Sequence, residues 1–140
     1  MRGLIVIAAS AIIGMAMPQS GGAAELASAS RLVASPKSFV GKTIRVVGLR
    51  CITDQELGFS CLLLADGKML EIEASGLGSK TRVELGYMID NCVGTDSRTR
   101  DECVMTATFS PVSFEKSVVN LKSGAMPTTT INTNEIEFER

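Results

Sequence analysis

Four cysteines are the residues of this sequence best suited to chemistry. Cys51, Cys61, Cys92 and Cys103 fall as two close pairs. A zinc site would need CxxC-type spacing or histidine ligands, and the sequence has neither. A redox catalyst usually presents a CxxC motif at the start of a helix, which is also absent. An even number of cysteines is typical of disulfides in an oxidising compartment, so structural disulfides are favoured.

The pairing of these cysteines is not fixed by their number, because four cysteines allow three connectivities. We predict Cys51–Cys61 and Cys92–Cys103. Each of these bonds closes a local loop and contributes roughly 2.5–3 kcal/mol by loop-entropy reckoning. If Cys51 and Cys61 lie opposite each other across a hairpin, its turn centres near Glu56.

Acid–base catalysis has few candidate residues, because the chain contains no histidine. This removes the commonest general base and every Ser-His-Asp or Cys-His arrangement. Paired carboxylates remain, such as Asp90 with Glu84 or Asp101 with Glu102, but any solvated surface offers such pairs. P-loop and GxGxxG sequences are absent as well. We therefore predict no enzymatic activity, no catalytic residue, no metal and no cofactor, with a small enzyme of unrecognised class as the alternative.

The N-terminus has the pattern of an export signal. Arg2 precedes an uncharged, mostly apolar run over residues 4–17, and Pro18 and small residues follow it. This run is shorter than the roughly twenty apolar residues that span a bilayer. We predict a signal peptide over residues 1–24 and one domain over residues 25–140, with an uncleaved N-terminal anchor as the alternative. The expected location is periplasmic or secreted, without stable membrane insertion after cleavage.

Hydrophobic periodicity in the first half of the domain predicts a short helix and three strands. Leu26, Ala29, Leu32 and Val33 have helical spacing, which ends before Pro36. The strands are predicted over residues 43–51, with a bend at Gly48, and over residues 59–65 and 69–74. Asp66-Gly67 is a hairpin signal between the last two, and a polar turn joins the first two.

The second half predicts a helix, a strand, a long connection and a final strand. The helix follows Gly78, with Thr81 and Glu84 as a capping box, although the same residues also alternate like a strand. The fourth strand starts at Cys103 and is halted by Pro111. Residues 112–134 have little pattern and are expected to be a mobile connection before a strand over residues 135–139.

This order of elements is that of the OB fold, a small five-stranded Greek-key barrel with a helix between strands three and four. The stretch Pro36-x-x-Phe39-Val40-Gly41-Lys42-x-Ile44-x-Val46-x-Gly48 resembles the opening of exported bacterial OB domains of the tRNA-anti-like family. The resemblance extends over about residues 26–139 and rests on apolar and glycine positions, which specify a fold rather than a ligand. The alternatives are an SH3-like barrel and an irregular β-meander.

A binding role follows from the predicted fold, since OB barrels bind oligonucleotides or oligosaccharides on the face of strands two and three. The speculative ligand-binding residues on this face are Arg45, Arg50, Phe59, Lys68 and Glu71. The chain has 14 basic and 15 acidic residues, so nucleic acid is disfavoured as a partner. We predict an interaction module of the cell envelope that binds a protein, a glycan or a peptide, with single-stranded nucleic acid or oligosaccharide on the barrel face as the alternative.

Overall fold

A computed structural model describes residues 23–54, 58–78 and 82–140. These residues form six strands, two α-helices and three short 3-10 helices. The strands are β1 (Glu25–Leu26), β2 (Ile44–Thr53), β3 (Phe59–Ala65), β4 (Lys68–Leu77), β5 (Val104–Leu121) and β6 (Gly124–Glu139). The helices are α1 (Ala29–Ala34) and α2 (Arg82–Asn91). The predicted signal peptide lies almost wholly outside the described residues.

Strands β2 to β6 close into a five-stranded barrel. Strand pairs follow the order β2-β3-β4-β6-β5, and β5 returns to pair antiparallel with β2. The β4–β6 pair is parallel, because α2 and β5 intervene between these two strands in the sequence. This connectivity confirms the predicted OB-like Greek-key barrel.

The first three barrel strands form the predicted meander. Cys51 pairs directly with Cys61 and forms the predicted disulfide with it. The turn predicted near Glu56 lies outside the described residues. At the second hairpin, Asp66 and Gly67 have φ values of 54° and 71°, the left-handed conformations that an Asp-Gly turn supplies.

The bend predicted at Gly48 is a β-bulge. The register between β2 and β5 shifts between Val46 and Leu49, and Gly48 has a φ of 79°. The side chains of Val46 and Leu49 are both buried although they are three residues apart. The extra residue therefore lets β2 curve around the barrel and keep its apolar face on the core.

Two predictions for the last third of the chain are wrong. Pro111 does not end the fourth strand, and residues 112–134 are not a loose connection. Strands β5 and β6 instead form one long hairpin, in which Leu121 pairs with Gly124. Pro111 is accommodated because the register shifts on both sides of it.

The N-terminal prediction is confirmed for the helix and wrong for its start. α1 begins at Ala29, and the Ser28 hydroxyl accepts a hydrogen bond from the Arg31 backbone N–H at 3.2 Å. Leu26, placed in the helix by its spacing, belongs to β1, which pairs with the start of β2. The buried side of α1 is Ala29, Leu32 and Val33.

The predicted second helix and second disulfide are both present. α2 buries Met88 completely, and Cys92, just beyond the helix, is bonded to Cys103. Thr81 of the predicted capping box lies outside the described residues. Cys103 belongs to a 3-10 turn and β5 starts one residue later. Among the described helices, none is long and apolar enough to cross a membrane.

Candidate binding groove on the outer face of the barrel

The outer face of β3 and β4 carries a mixture of apolar and acidic side chains. Inward residues of these strands, such as Cys61, Leu70 and Ile72, are fully buried, so their neighbours point outward. Three cross-strand pairs form the outer surface: Ser60 with Glu73, Leu62 with Glu71, and Leu64 with Met69. This is the face on which OB barrels bind ligands.

One wall of this face is the loop of residues 95–103. Arg50, on β2, donates to the carbonyl oxygens of Arg98 at 3.3 Å and Arg100 at 3.4 Å. Ile52 points outward from the barrel but is only 6% exposed. The Cys92–Cys103 disulfide ties the base of the loop. The chain thus covers the β2 side of its own OB face and leaves β3 and β4 open.

Arg98 extends from this loop across the sheet. Its Nη2 donates to the Ser60 hydroxyl at 2.9 Å, and that hydroxyl lies 3.2 Å from Glu71 Oε1. The Arg98 Nε is buried and has no hydrogen-bond partner among the described residues. The guanidinium is therefore held by a hydroxyl that itself donates to a carboxylate, and one guanidinium donor is unsatisfied among the described residues.

Two cavities lie along the groove, and Arg98 borders both. The polar cavity has a volume of about 410 Å³, and its lining includes three carboxylates, Asp54, Glu71 and Glu73. The apolar cavity, of about 470 Å³, lies over the other end of β3 and β4. Its lining combines six apolar side chains with two arginines and a serine: Leu62, Leu63, Leu64, Met69, Leu121, Met126, Arg50, Arg98 and Ser123.

The second wall is the end of the β5–β6 hairpin, which the sequence did not predict. Leu121 from β5 and Met126 from β6 line the apolar cavity together with Leu64. Leu64 is 67% exposed and Leu121 is 43% exposed. The hairpin thus places apolar side chains beside the sheet without covering it. We call the two cavities together the β3–β4 groove.

The five residues predicted to bind a ligand divide between this groove and other places. Arg50 and Glu71 line the groove. Phe59 also lines the polar cavity, but it is 5% exposed and its ring packs against Phe138 with centroids 6.0 Å apart. Arg45 forms an ion pair with Glu139 at 2.9 Å. Lys68 is exposed, follows the Asp66-Gly67 turn and borders neither cavity.

Sequence reasoning missed the apolar half of the groove. A signal was present in Leu62-Leu63-Leu64, because successive side chains of a strand point to opposite faces. A run of three leucines therefore has to place at least one on the outer face of the barrel. Arg98 lies in a loop of mixed charge, and its contact with Ser60 depends on how that loop folds back. Among the described residues, no group of His, Cys, Asp and Glu side chains could hold a metal ion.

Comparisons with known proteins identify no family for this chain. The chain matches no protein-family model and no curated protein. A solved structure of a putative aspartyl-tRNA synthetase from Leishmania major Friedlin is similar, with a TM-score of 0.44 and 10% sequence identity. The similarity covers 89% of this chain and 22% of that chain, so the chain spans about a fifth of the synthetase.

Proposed function

We propose that the protein is a non-enzymatic binding module that acts in the periplasm or outside the cell. Its β3–β4 groove takes a segment of a partner protein in which apolar side chains are followed by a basic residue. The observation that carries this proposal is the division of the groove into an apolar half and a half with three carboxylates.

The apolar half supports a partner of moderate hydrophobicity. Leu64 and Leu121 are both exposed and line one cavity, and Met69 and Met126 belong to the same lining. Methionine side chains adapt to differently shaped apolar groups, which suits a binding surface. Covering a leucine fully contributes about 1.5–3 kcal/mol, so each leucine of this cavity that a partner covers adds to the affinity.

The acidic half favours a basic residue over a nucleic acid. Asp54, Glu71 and Glu73 would repel phosphates, while the arginine at this end is already bonded to Ser60. Single-strand binding and sugar binding both use exposed aromatic rings as stacking surfaces. The one aromatic residue in the described lining of the groove is Phe59, which is buried.

Two disulfides support the location of the protein in an oxidising compartment. The export signal expected over residues 1–24 agrees with that location. We extend the proposal to membership of the exported tRNA-anti-like OB domains, on the motif from Pro36 to Gly48. A mass that starts at Glu25, with all four thiols masked until reduction, is the result expected for protein recovered from the periplasm.

A peptide titration tests the binding proposal. The probe is acetyl-Ala-Leu-Ala-Leu-Lys-Lys-amide, and the readout is the change in backbone amide NMR signals of the purified protein. We expect the shifts to concentrate on β3, β4 and the end of the β5–β6 hairpin. Leu64→Ser should weaken binding about tenfold, since that factor corresponds to part of one leucine burial.

Two further variants separate the halves of the groove. Glu71→Gln with Glu73→Gln should weaken binding and reduce its dependence on salt, because the basic end of the peptide loses its partners. Val47→Ser is the matched control, since Val47 is 56% exposed and borders neither cavity of the groove. Equal losses of peptide affinity for Leu64→Ser and Val47→Ser would contradict binding in the groove. If oligothymidylate or a chito-oligosaccharide bound tightly and shifted the same amide signals, the ligand would be a nucleic acid or a glycan instead of a peptide.

A further inference from the structure

The outer edge of β5 is a second surface on which another chain can dock. β2 covers this edge only as far as Phe109, which pairs with Ile44. Two residues further along β5, the Pro111 carbonyl accepts a hydrogen bond from the Gly41 N–H at 2.9 Å. Beyond Pro111, β5 pairs with β6 on one side and with no described strand on the other. Residues 112–121 therefore have a row of backbone donors and acceptors facing outward.

This edge has few of the features that protect sheet edges from pairing. Protected edges are short, or carry several lysines, prolines and inward charges. Here the strand continues for a further ten positions after Pro111 (121 − 111 = 10), and it carries one lysine, Lys116. Val118 is 62% exposed and Val112 is 48% exposed. The edge is thus long, extended and partly apolar.

We infer that residues 112–121 of β5 bind an extended segment of a different polypeptide as an added β-strand. The affinity of such a complex comes from main-chain hydrogen bonds, and its selectivity from the side chains of alternating residues. Apart from Leu121, residues 112–121 do not line the β3–β4 groove, so the inference does not depend on the proposed function.

The alternation of β5 side chains defines the chemistry of the partner. Phe114 pairs with Ile131, which is fully buried, so Phe114 lies on the core-facing side of the sheet. Lys116 and Val118 share that side, while Glu115 lies on the other side beside Thr130. Residues directly opposite in an antiparallel pair share a face. The matching segment therefore has an acidic residue opposite Lys116, a basic residue opposite Glu115, and apolar residues opposite Phe114 and Val118.

A second copy of the same chain does not meet this requirement. In an antiparallel pair related by a two-fold axis, opposing residues belong to the same face of the strand. Glu115 and Lys116 are neighbours on opposite faces, so they can never oppose each other in such a dimer. If the two-fold axis passes through Glu115 or through Lys116, that residue faces its own copy, and like charges repel. In every other register, neither residue faces one of opposite charge. A different chain can satisfy both charges at once.

The test uses the purified protein and the peptide Thr-Ile-Thr-Glu-Lys-Val-Thr, which is the antiparallel complement of residues 113–119. Hydrogen exchange measured by NMR should show slower exchange of alternate amides over residues 112–121 when the peptide is added. A scrambled peptide of the same composition is the control. Protection of the β3–β4 face by this peptide, with no change on β5, would overturn the inference.

N-methylated peptides provide a sharper test, because alternate backbone amides of an added strand face opposite directions. Methylation of the amides that face β5 should abolish binding, and methylation of the other set should leave it intact. Equal binding, or equal loss, of both peptides would show that no strand is added. This comparison leaves the protein unchanged, so it cannot be confused with misfolding.

A charge exchange identifies the register. The variant Glu115→Lys with Lys116→Glu should bind the original peptide about threefold to tenfold more weakly. Exchanging Glu and Lys in the peptide should restore the affinity. Failure of this restoration would contradict the proposed pairing. A concentration-dependent dimer that protects the same amides without peptide would assign the edge to a second copy instead.

Discussion

Arg50 and Arg98 show how the same residue type has two different roles at the border of one groove. Arg50 donates to two loop carbonyls, and its ion pair with Asp101 at 3.7 Å is to a side chain that is 97% exposed. That ion pair contributes little to stability, so the main structural role of Arg50 is its contact with the two loop carbonyls. Arg98 gains one hydrogen bond to Ser60 and leaves its Nε buried without a described partner.

Replacement of each arginine by methionine should separate these roles, because methionine keeps most of the apolar stem. Arg50→Met should lower the free energy of unfolding by about 1–2 kcal/mol, since two loop carbonyls lose their donor. Arg98→Met should change it by less than about 1 kcal/mol, because the lost hydrogen bond is offset by removal of an unsatisfied buried donor. Urea unfolding measures both. A larger loss for Arg98→Met would identify Arg98 as a structural clamp.

Phe59 illustrates the limit of reading a ligand site from residue types. An aromatic residue at the start of a strand can be a stacking surface or a core side chain, and the sequence does not separate the two. In the structure Phe59 pairs with Ala74 across the sheet and packs against Phe138 from β6. Its neighbour Ser60, outward on the same strand, is the residue that contacts Arg98 and Glu71.

At the scale of elements, two glycines have opposite effects. Gly48 lies in the β2 bulge with a φ of 79°, and Gly86 lies inside α2. An added Cβ would meet no described atom within 4 Å at either position, so each effect is conformational. Gly48→Ala should destabilise the protein by about 1–2 kcal/mol, because left-handed backbone disfavours a side chain. Gly86→Ala should stabilise it by about 0.5–1 kcal/mol, because alanine favours the helix.

Thermal and urea unfolding of the two variants check this prediction, and each variant is the control for the other. If Gly48→Ala proved neutral, the bulge would have to relax to negative φ. That change would alter the register between β2 and β5, which amide NMR would detect near Val46 and Leu49.

The sequence predicts an element well where one of its faces is buried. β2, β4 and the first part of β5 alternate between buried and exposed residues over much of their length, and strands were predicted at these positions. The end of β5 is exposed on both faces, so residues 112–121 have no alternation to read. The matching part of β6 is set by its partners, since Thr128 to Thr133 pair with β4 on one side and β5 on the other. The groove depends on this hairpin and was therefore only partly predictable.

At the scale of the whole molecule, the two disulfides have similar loop lengths and different structural consequences. Their sequence separations are 10 and 11 residues, so loop entropy assigns each about 2.5–3 kcal/mol. Cys51–Cys61 joins two residues that are already paired in the barrel sheet. Cys92–Cys103 instead closes the segment that contains the 95–103 loop, from which Arg98 reaches Ser60 in the groove.

Removing each bond by paired alanine substitution should therefore give similar losses of stability and different changes in the native state. Cys92→Ala with Cys103→Ala should speed amide exchange in the 95–103 loop and weaken peptide binding in the β3–β4 groove, because the wall that carries Arg98 is released. Cys51→Ala with Cys61→Ala should leave the exchange of that loop unchanged. Urea unfolding and hydrogen exchange of the two variants, side by side, measure both quantities. If both variants loosened the loop equally, the barrel and the loop would unfold as one unit, and the loop would owe its position to the barrel rather than to its own disulfide.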